Sequence, residues 1–210
     1  MIECPSCARR QQPQLICEQC GSPLGAETDL FAALGLPKKL VIDSAALERT
    51  YHDLSRRIHP DRFASQNARV RSASMRSTAL LTRANRTLRD PVSRGLYWLE
   101  LHGEKLGTNN NQVPPDLAEL VFDVQEQLAD LDSDKSDAAQ NAVATRRDEI
   151  ELMIATALDE LDKNFARWDS SQPDAAKPLT AELKAILSKI AYLRTLIRDV
   201  DRALENAKAA

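Results

Sequence analysis

Aromatic residues are scarce in this 210-residue chain, at 4%, and only six glycines occur. Strands draw on aromatic and β-branched side chains and on glycine-bearing turns, so the shortage favours helices over sheets. No apolar run reaches the roughly 18–20 residues that a membrane span needs. The first residues show neither a basic-then-apolar signal pattern nor an Arg- and Ser-rich transit pattern. A cytoplasmic protein with no membrane partner is the expectation. No Ser or Cys stands at a recognisable nucleophile elbow, and there is no Gly-rich phosphate loop. The expectation is that the chain is not an enzyme. After residue 20 there is no cysteine at all.

What is present is enough for one or two domains. The hydrophobic fraction of 43% can supply a core, and 28% charged residues is ordinary for a protein in water. The net charge of −3 conceals an asymmetry. Residues 29–113 hold 14 Lys and Arg against 8 Asp and Glu, and residues 114–210 hold 12 against 20. A basic middle and an acidic end suggest two faces for two partners.

All four cysteines lie near the start, as Cys4-Pro5-Ser6-Cys7 and Cys17-Glu18-Gln19-Cys20, with nine residues between the pairs. Two such knuckles can complete a tetrahedral site of four sulfurs, which suits structural zinc, with iron as the alternative. A cytosolic setting argues against stable disulfides. Residues 1–27 are too few to build an apolar core, so the module is expected to depend on its metal for order.

The remainder reads as all-α. A short helix over Asp29–Gly35 is followed by a second, capped by Asp43, with an apolar stripe of Leu47, Tyr51, Leu54 and Ile58. Arg49, His52, Arg56 and Arg57 lie off that stripe. His59-Pro60-Asp61 must end this helix, because proline cannot continue the ladder and pushes its predecessor out of the α region. A third helix, about Asn67 to Leu88, packs through Val70, Ala73, Ser77, Leu80, Leu81, Ala84 and Leu88. The two should form an antiparallel hairpin. Asp90-Pro91 restarts the chain as a fourth helix from Val92 to His102, with Leu96, Trp98 and Leu99 turned inward. Residues 104–113 read as a linker. From Pro114 three helical patterns suggest a bundle with coiled-coil-like packing. The first of them carries an acidic ridge of Asp123, Glu126 and Asp130. Ser170–Pro178 reads as the loop before the last helix, and self-association stays open.

His59-Pro60-Asp61 between a basic helix and a long third helix resembles a J domain, as does the run Leu81-x-x-Ala84-Asn85-x-x-Leu88-x-Asp90-Pro91-x-x-Arg94. Asp29-Leu30-Phe31-x-x-Leu34-Gly35-Leu36, then His-Pro-Asp-Arg-Phe-Ala-Ser, then Tyr97–Gly103 and an acidic helical end, resembles the HscB family of J-type co-chaperones of iron–sulfur cluster assembly. The four-cysteine module resembles the metal-binding extension of some members. The resemblance implies a J domain over 28–103 and a scaffold-binding helical domain over 114–210. It implies that His59, Pro60 and Asp61 stimulate a DnaK/HscA-type ATPase chaperone, docked through Arg49, Arg56, Arg57 and Arg62. It implies that Leu117, Phe122, Asp123, Glu126, Asp130 and Tyr192 hold an IscU-type scaffold protein. Ile58 stands where Tyr is common in the family, and Arg62 where Lys is common. One alternative is a general J-type co-chaperone for protein folding. A zinc-ribbon nucleic-acid binder is another, opposed by the pI of about 5.7 and the lack of interleaved aromatics, so no nucleic-acid partner is expected.

Overall fold

The structure is a computed structural model that describes residues 1–106, 113–171 and 176–209. The chain divides into two compact units, Met1–Trp98 and Leu99–Ala210. The described residues are all-α apart from one minimal strand pair and an isolated bridge between Ile16 and Pro23 near the start. β1 (Ile2–Glu3) lies antiparallel to β2 (Arg10–Gln11), with Ile2 opposite Gln11 and Glu3 opposite Arg10.

In the first unit, helices form where local caps permit them. Asp29 caps the single turn α1 (Leu30–Ala33). Asp43 accepts from the amides of Ala45 and Ala46 at 2.9 and 3.1 Å, which satisfies two free donors at the start of α2 (Ser44–Ile58). His59 ends α2 in an extended conformation, and Pro60–Phe63 make one 3₁₀ turn. Asn67 caps the long α3 (Ala68–Arg89) through the Val70 amide at 3.0 Å. Asp90 caps α4 (Pro91–Leu101) through the Ser93 amide at 2.7 Å, with Pro91 at the first helical position.

α2 and α3 pack as the expected hairpin, burying Leu47 and Ile58 against a face of α3 that holds Val70, Ala73, Leu81, Ala84 and Leu88. Phe31 is fully buried and meets Trp98 edge-on with ring centroids 6.0 Å apart. The Leu30 amide donates to the Tyr97 hydroxyl at 2.9 Å. Burial pushes the Tyr97 phenol above its ordinary range. Burying one such aromatic contributes about 2–3 kcal/mol, so the Asp-Leu-Phe and Tyr-Trp segments hold α1 against α4. α4 differs from the expectation in one respect. Trp98 and Leu99 turn inward, but Leu96 is 39% exposed. Buried Val92, Arg94 and Gly95 take the facing positions, and Leu96 lies a step of about 100° beyond Gly95 on a 3.6-residue helix.

The cysteine module folds onto α3 through backbone atoms. The Gly25 amide donates to Ser77 Oγ at 3.0 Å, and that hydroxyl reaches the Leu15 carbonyl at 3.3 Å. Arg76 Nε donates to the Gly25 carbonyl at 3.0 Å. Gly25 has φ +61°, and a Cβ there would stand 2.7 Å from the Ala73 Cα. Gly25→Ala is therefore expected to destabilise the docked module by about 2–3 kcal/mol, combining a left-handed backbone with a backbone collision. Faster hydrogen exchange at residues 15–25, with α3 still protected, would be the sign. Unchanged exchange would contradict it.

In the second unit a 3₁₀ turn (Pro115–Leu117) leads into α5 (Ala118–Ser133), α6 (Asp137–Ser170) and α7 (Ala176–Ala209). The core takes Leu117, Val124 and Leu131 at a seven-residue spacing, Val143 and Ile150 from α6, and Leu193, Leu196, Val200 and Leu204 from α7. This is the expected bundle with near-heptad packing. α7 begins at Ala176, so the reading of a loop up to Pro178 ends too late. Proline is tolerated in a first helical turn, whose amides have no intrahelical acceptor. Residues 107–112 of the expected linker and 172–175 of the expected loop lie outside the described residues. No helix among the described residues is long and apolar enough to cross a membrane.

Candidate functional site: an exposed hairpin tip and a four-cysteine centre

The His59-Pro60-Asp61 loop sits at the tip of the α2–α3 hairpin, open to solvent. The side chains of His59 and Asp61 are 52% and 90% exposed. His59 Nδ1 accepts from the Asp61 amide at 3.3 Å and lies 3.5 Å from the Asp61 carboxylate. The imidazole thus caps the 3₁₀ turn begun by Pro60, which keeps the Asp61 side chain outside the hairpin. Arg49, Arg56, Arg57 and Arg62 are all exposed, as expected. Arg57 pairs with Asp53 at 3.8 Å, one turn earlier. Arg62 Nη1 reaches back to the Arg56 carbonyl at 3.4 Å. Such surface pairs contribute about 0–1 kcal/mol each, so these cations remain available to an acidic partner.

A residue that the sequence reading missed anchors this tip. Ser74, fully buried on α3, donates its hydroxyl to the Ile58 carbonyl at 2.6 Å. That carbonyl stands at the last residue of α2, where Pro60 prevents the helix from continuing. The only signal in the sequence is a small polar residue inside an otherwise Ala-, Val- and Leu-lined face, one turn from Ser77. Ser74→Ala should lose about 1–3 kcal/mol, because it strands a buried acceptor. Denaturant titration should show that loss. A stability within experimental error of the parent would contradict the anchor. Arg94 performs the matching task at the other end of α3, where its Nη1 donates to the Leu88 carbonyl at 2.6 Å.

The four sulfurs converge as their spacing implies. All four cysteines are free thiols, and their Sγ atoms lie within 4.8 Å of one another. Cys4 and Cys20 are 3.6 Å apart, and Cys7 and Cys17 are 3.8 Å apart. A tetrahedral ion with M–S bonds of about 2.3 Å has edges of roughly 3.8 Å, so the set fits a metal. The knuckles are built alike. Ala8 N–H donates to the Cys4 carbonyl at 3.0 Å and Gly21 N–H to the Cys17 carbonyl at 2.9 Å. Ala8 and Gly21 both adopt left-handed conformations, φ 59° and 71°. Burial pushes the Cys4 thiol up to about 12. Burial also acts upward on Cys20, but hydrogen bonds from the Ser22 hydroxyl and amide outweigh it and bring that thiol down to about 6. The module also makes a small apolar cluster, Cys4, Cys17 and Leu24, with Ile2, Cys7 and Ala26 against it. It therefore has more of an interior than its length suggests.

On the second unit, the expected contact set splits. Phe122 is 70% exposed, and Glu126 and Asp130 follow it at i+4 and i+8 on one face of α5. Asp123 is half-buried, 3.5 Å from Arg146 Nη2. Tyr192 stands on α7, half-buried against the core. Leu117 is a correction. It is 0% exposed, at the end of the 3₁₀ turn before α5, so its side chain forms part of the interior and offers no surface.

No protein-family model matches the chain. Among solved structures, it resembles the human co-chaperone protein HscB, with 24% identity, a TM-score of 0.66, and coverage of 95% of this chain and 96% of that one. It also resembles chaperone HscB from Vibrio cholerae, with 23% identity, a TM-score of 0.63, and coverage of 85% of this chain and 99% of that one. The likeness spans both units, so the chain has the HscB fold.

Proposed function

We propose that this chain is an HscB-type J-domain co-chaperone that stimulates a DnaK/HscA-type ATPase chaperone and presents to it an IscU-type scaffold during iron–sulfur cluster assembly. The observation that carries this reading is the exposed His59-Pro60-Asp61 tip beside an arginine-bearing helix, in a chain with the HscB fold along nearly all its length. Arg49, Arg56, Arg57 and Arg62 steer the encounter with an acidic partner surface, an effect that salt weakens. His59, Pro60 and Asp61 make the stimulating contact. The chain performs no chemistry itself and acts on its partner's hydrolysis, in the cytoplasm.

On the second unit the contact is the stripe Phe122–Glu126–Asp130, flanked by Asp123 and Tyr192. A large exposed aromatic beside acidic groups on a rigid helix suits a partner with an apolar pocket rimmed by cations. Cys4, Cys7, Cys17 and Cys20 hold structural zinc, whose role is to close the two knuckles into one rigid piece.

The test is ATP turnover by a purified DnaK-type chaperone with this chain and an IscU-type scaffold, separately and together. Stimulation should rise when both are present. Phe122→Ser should weaken scaffold binding by about 2 kcal/mol, roughly thirtyfold, as for an exposed aromatic anchor. It should leave stimulation without scaffold intact. A chain that changes neither basal nor scaffold-dependent turnover is not this co-chaperone.

A further inference from the structure

The docked cysteine module shapes a surface that neither it nor the hairpin has alone. Between residues 14–16 of the module, the end of α1 and the outer face of α2 runs a groove of about 500 Å³. Its apolar lining is offered by half-buried Ile16 and Leu54, with Leu15 and Leu34 buried behind them, and Arg49 and Arg57 stand among its walls. Arg57 is paired with Asp53, whereas Arg49 makes no ion pair among the described residues. Two cations against one carboxylate leave the groove with an excess positive charge. The module side of the wall, Gln14, is neutral and half-exposed. The wall cannot drift, because Leu15 and Gly25 are tied to Ser77 of α3 and Gly25 admits no side chain there.

We propose that this groove takes an acidic segment of the ATPase chaperone bearing apolar side chains, so that the cysteine module forms one wall of the chaperone-docking surface. The inference rests on the co-chaperone reading above and adds to it the module's task. Two features select this occupant. The arginines belong to the same helix face that leads to the Asp61 tip, so one partner can engage both. The net charge calls for carboxylates, and the half-buried Ile16 and Leu54 call for an apolar contact between them. Charge complementarity of this kind acts mainly on encounter and affinity. The module should therefore alter the concentration of co-chaperone needed, and leave the maximal stimulation to the tip.

The test uses the full, metal-loaded chain with Gln14→Glu and Gln14→Lys, titrated against a purified DnaK-type chaperone in an ATPase assay. Gln14 is not a metal ligand and is half-exposed, its side chain making a long hydrogen bond to Gln11 Oε1 at 3.4 Å, and metal content and circular dichroism verify that both variants fold. Gln14→Glu should raise the half-maximal concentration about threefold at low salt, and Gln14→Lys should lower it by a similar factor. Maximal turnover should match the parent in both. At about 0.5 M salt, where charges are screened beyond roughly 4 Å, both differences should shrink. Equal half-maximal concentrations for the three proteins, or shifts of the same sign in both variants, would overturn the groove assignment while leaving the co-chaperone reading standing. A parent protein that stimulates nothing would overturn both.

Discussion

Asp61→Ala is expected to reduce stimulation of the partner ATPase to near its basal rate, with no change in helicity or melting temperature. The two halves of that expectation have separate physical grounds. Asp61 is 90% exposed, and its only side-chain neighbour described is His59 at 3.5 Å. An exposed pair of this kind contributes about 0–1 kcal/mol. The 3₁₀ turn does not depend on the carboxylate, since its cap is the contact between His59 Nδ1 and the Asp61 amide. Removing the carboxylate therefore costs the fold almost nothing. At an interface, the loss of a central charged contact typically costs about 2–4 kcal/mol or more, which is roughly thirty- to a thousandfold. A variant that stimulates like the parent would remove the tip from the mechanism. A variant that also melts early would mean that the carboxylate serves the fold, contrary to its exposure.

Replacing Cys17 and Cys20 together by Ser is expected to abolish metal binding and to release residues 1–27 from order, while α2 and α3 stay helical. Without the metal, the module is held by a two-residue β pair, a small apolar cluster and three hydrogen bonds to or from α3. Ordering the module costs it backbone entropy that these contacts alone must offset. A structural metal contributes on the order of 10–16 kcal/mol in comparable small sites, so its removal reverses the balance. The hairpin buries its own core of Leu47, Ile58, Leu81 and Leu88 and does not need the module. Elemental analysis should give one zinc per parent chain and none in the double variant. Amide exchange should become fast over 1–27 and stay slow over 70–88. A double variant that retained its metal, or a metal-free module that stayed protected, would refute the dependence. Loss of helicity throughout would refute the independence of the hairpin.

Much of the architecture was legible in the sequence because helices declare themselves by period and cap. Asp43, Asn67 and Asp90-Pro91 mark three starts, and each cap forms in the structure. The helical recurrence of apolar residues after Pro114 pointed to a bundle, and Leu117, Val124 and Leu131 lie in its core. Leu117 lies in the 3₁₀ turn before α5, where helical period alone does not say which way it faces, and packing places it in the core seven residues before Val124. Leu96 failed in the opposite direction, since apolarity alone does not say which way a residue faces on a short helix.

Local chemistry along the chain determined the kinds of elements, their caps, the break at Pro60 and the convergence of four thiols, because each depends on residues within about a helical turn or a knuckle of one another. Tertiary structure alone decided that Ser74 closes the end of α2, that Gly25 and Ser77 join the cysteine module to α3, and that Leu117 is interior while Phe122 is not. Those facts join residues 16 to 62 positions apart, or depend on which flank of a helix finds a neighbour. Side-chain type sets what a residue can bond to, but only the packed chain brings the partner within reach.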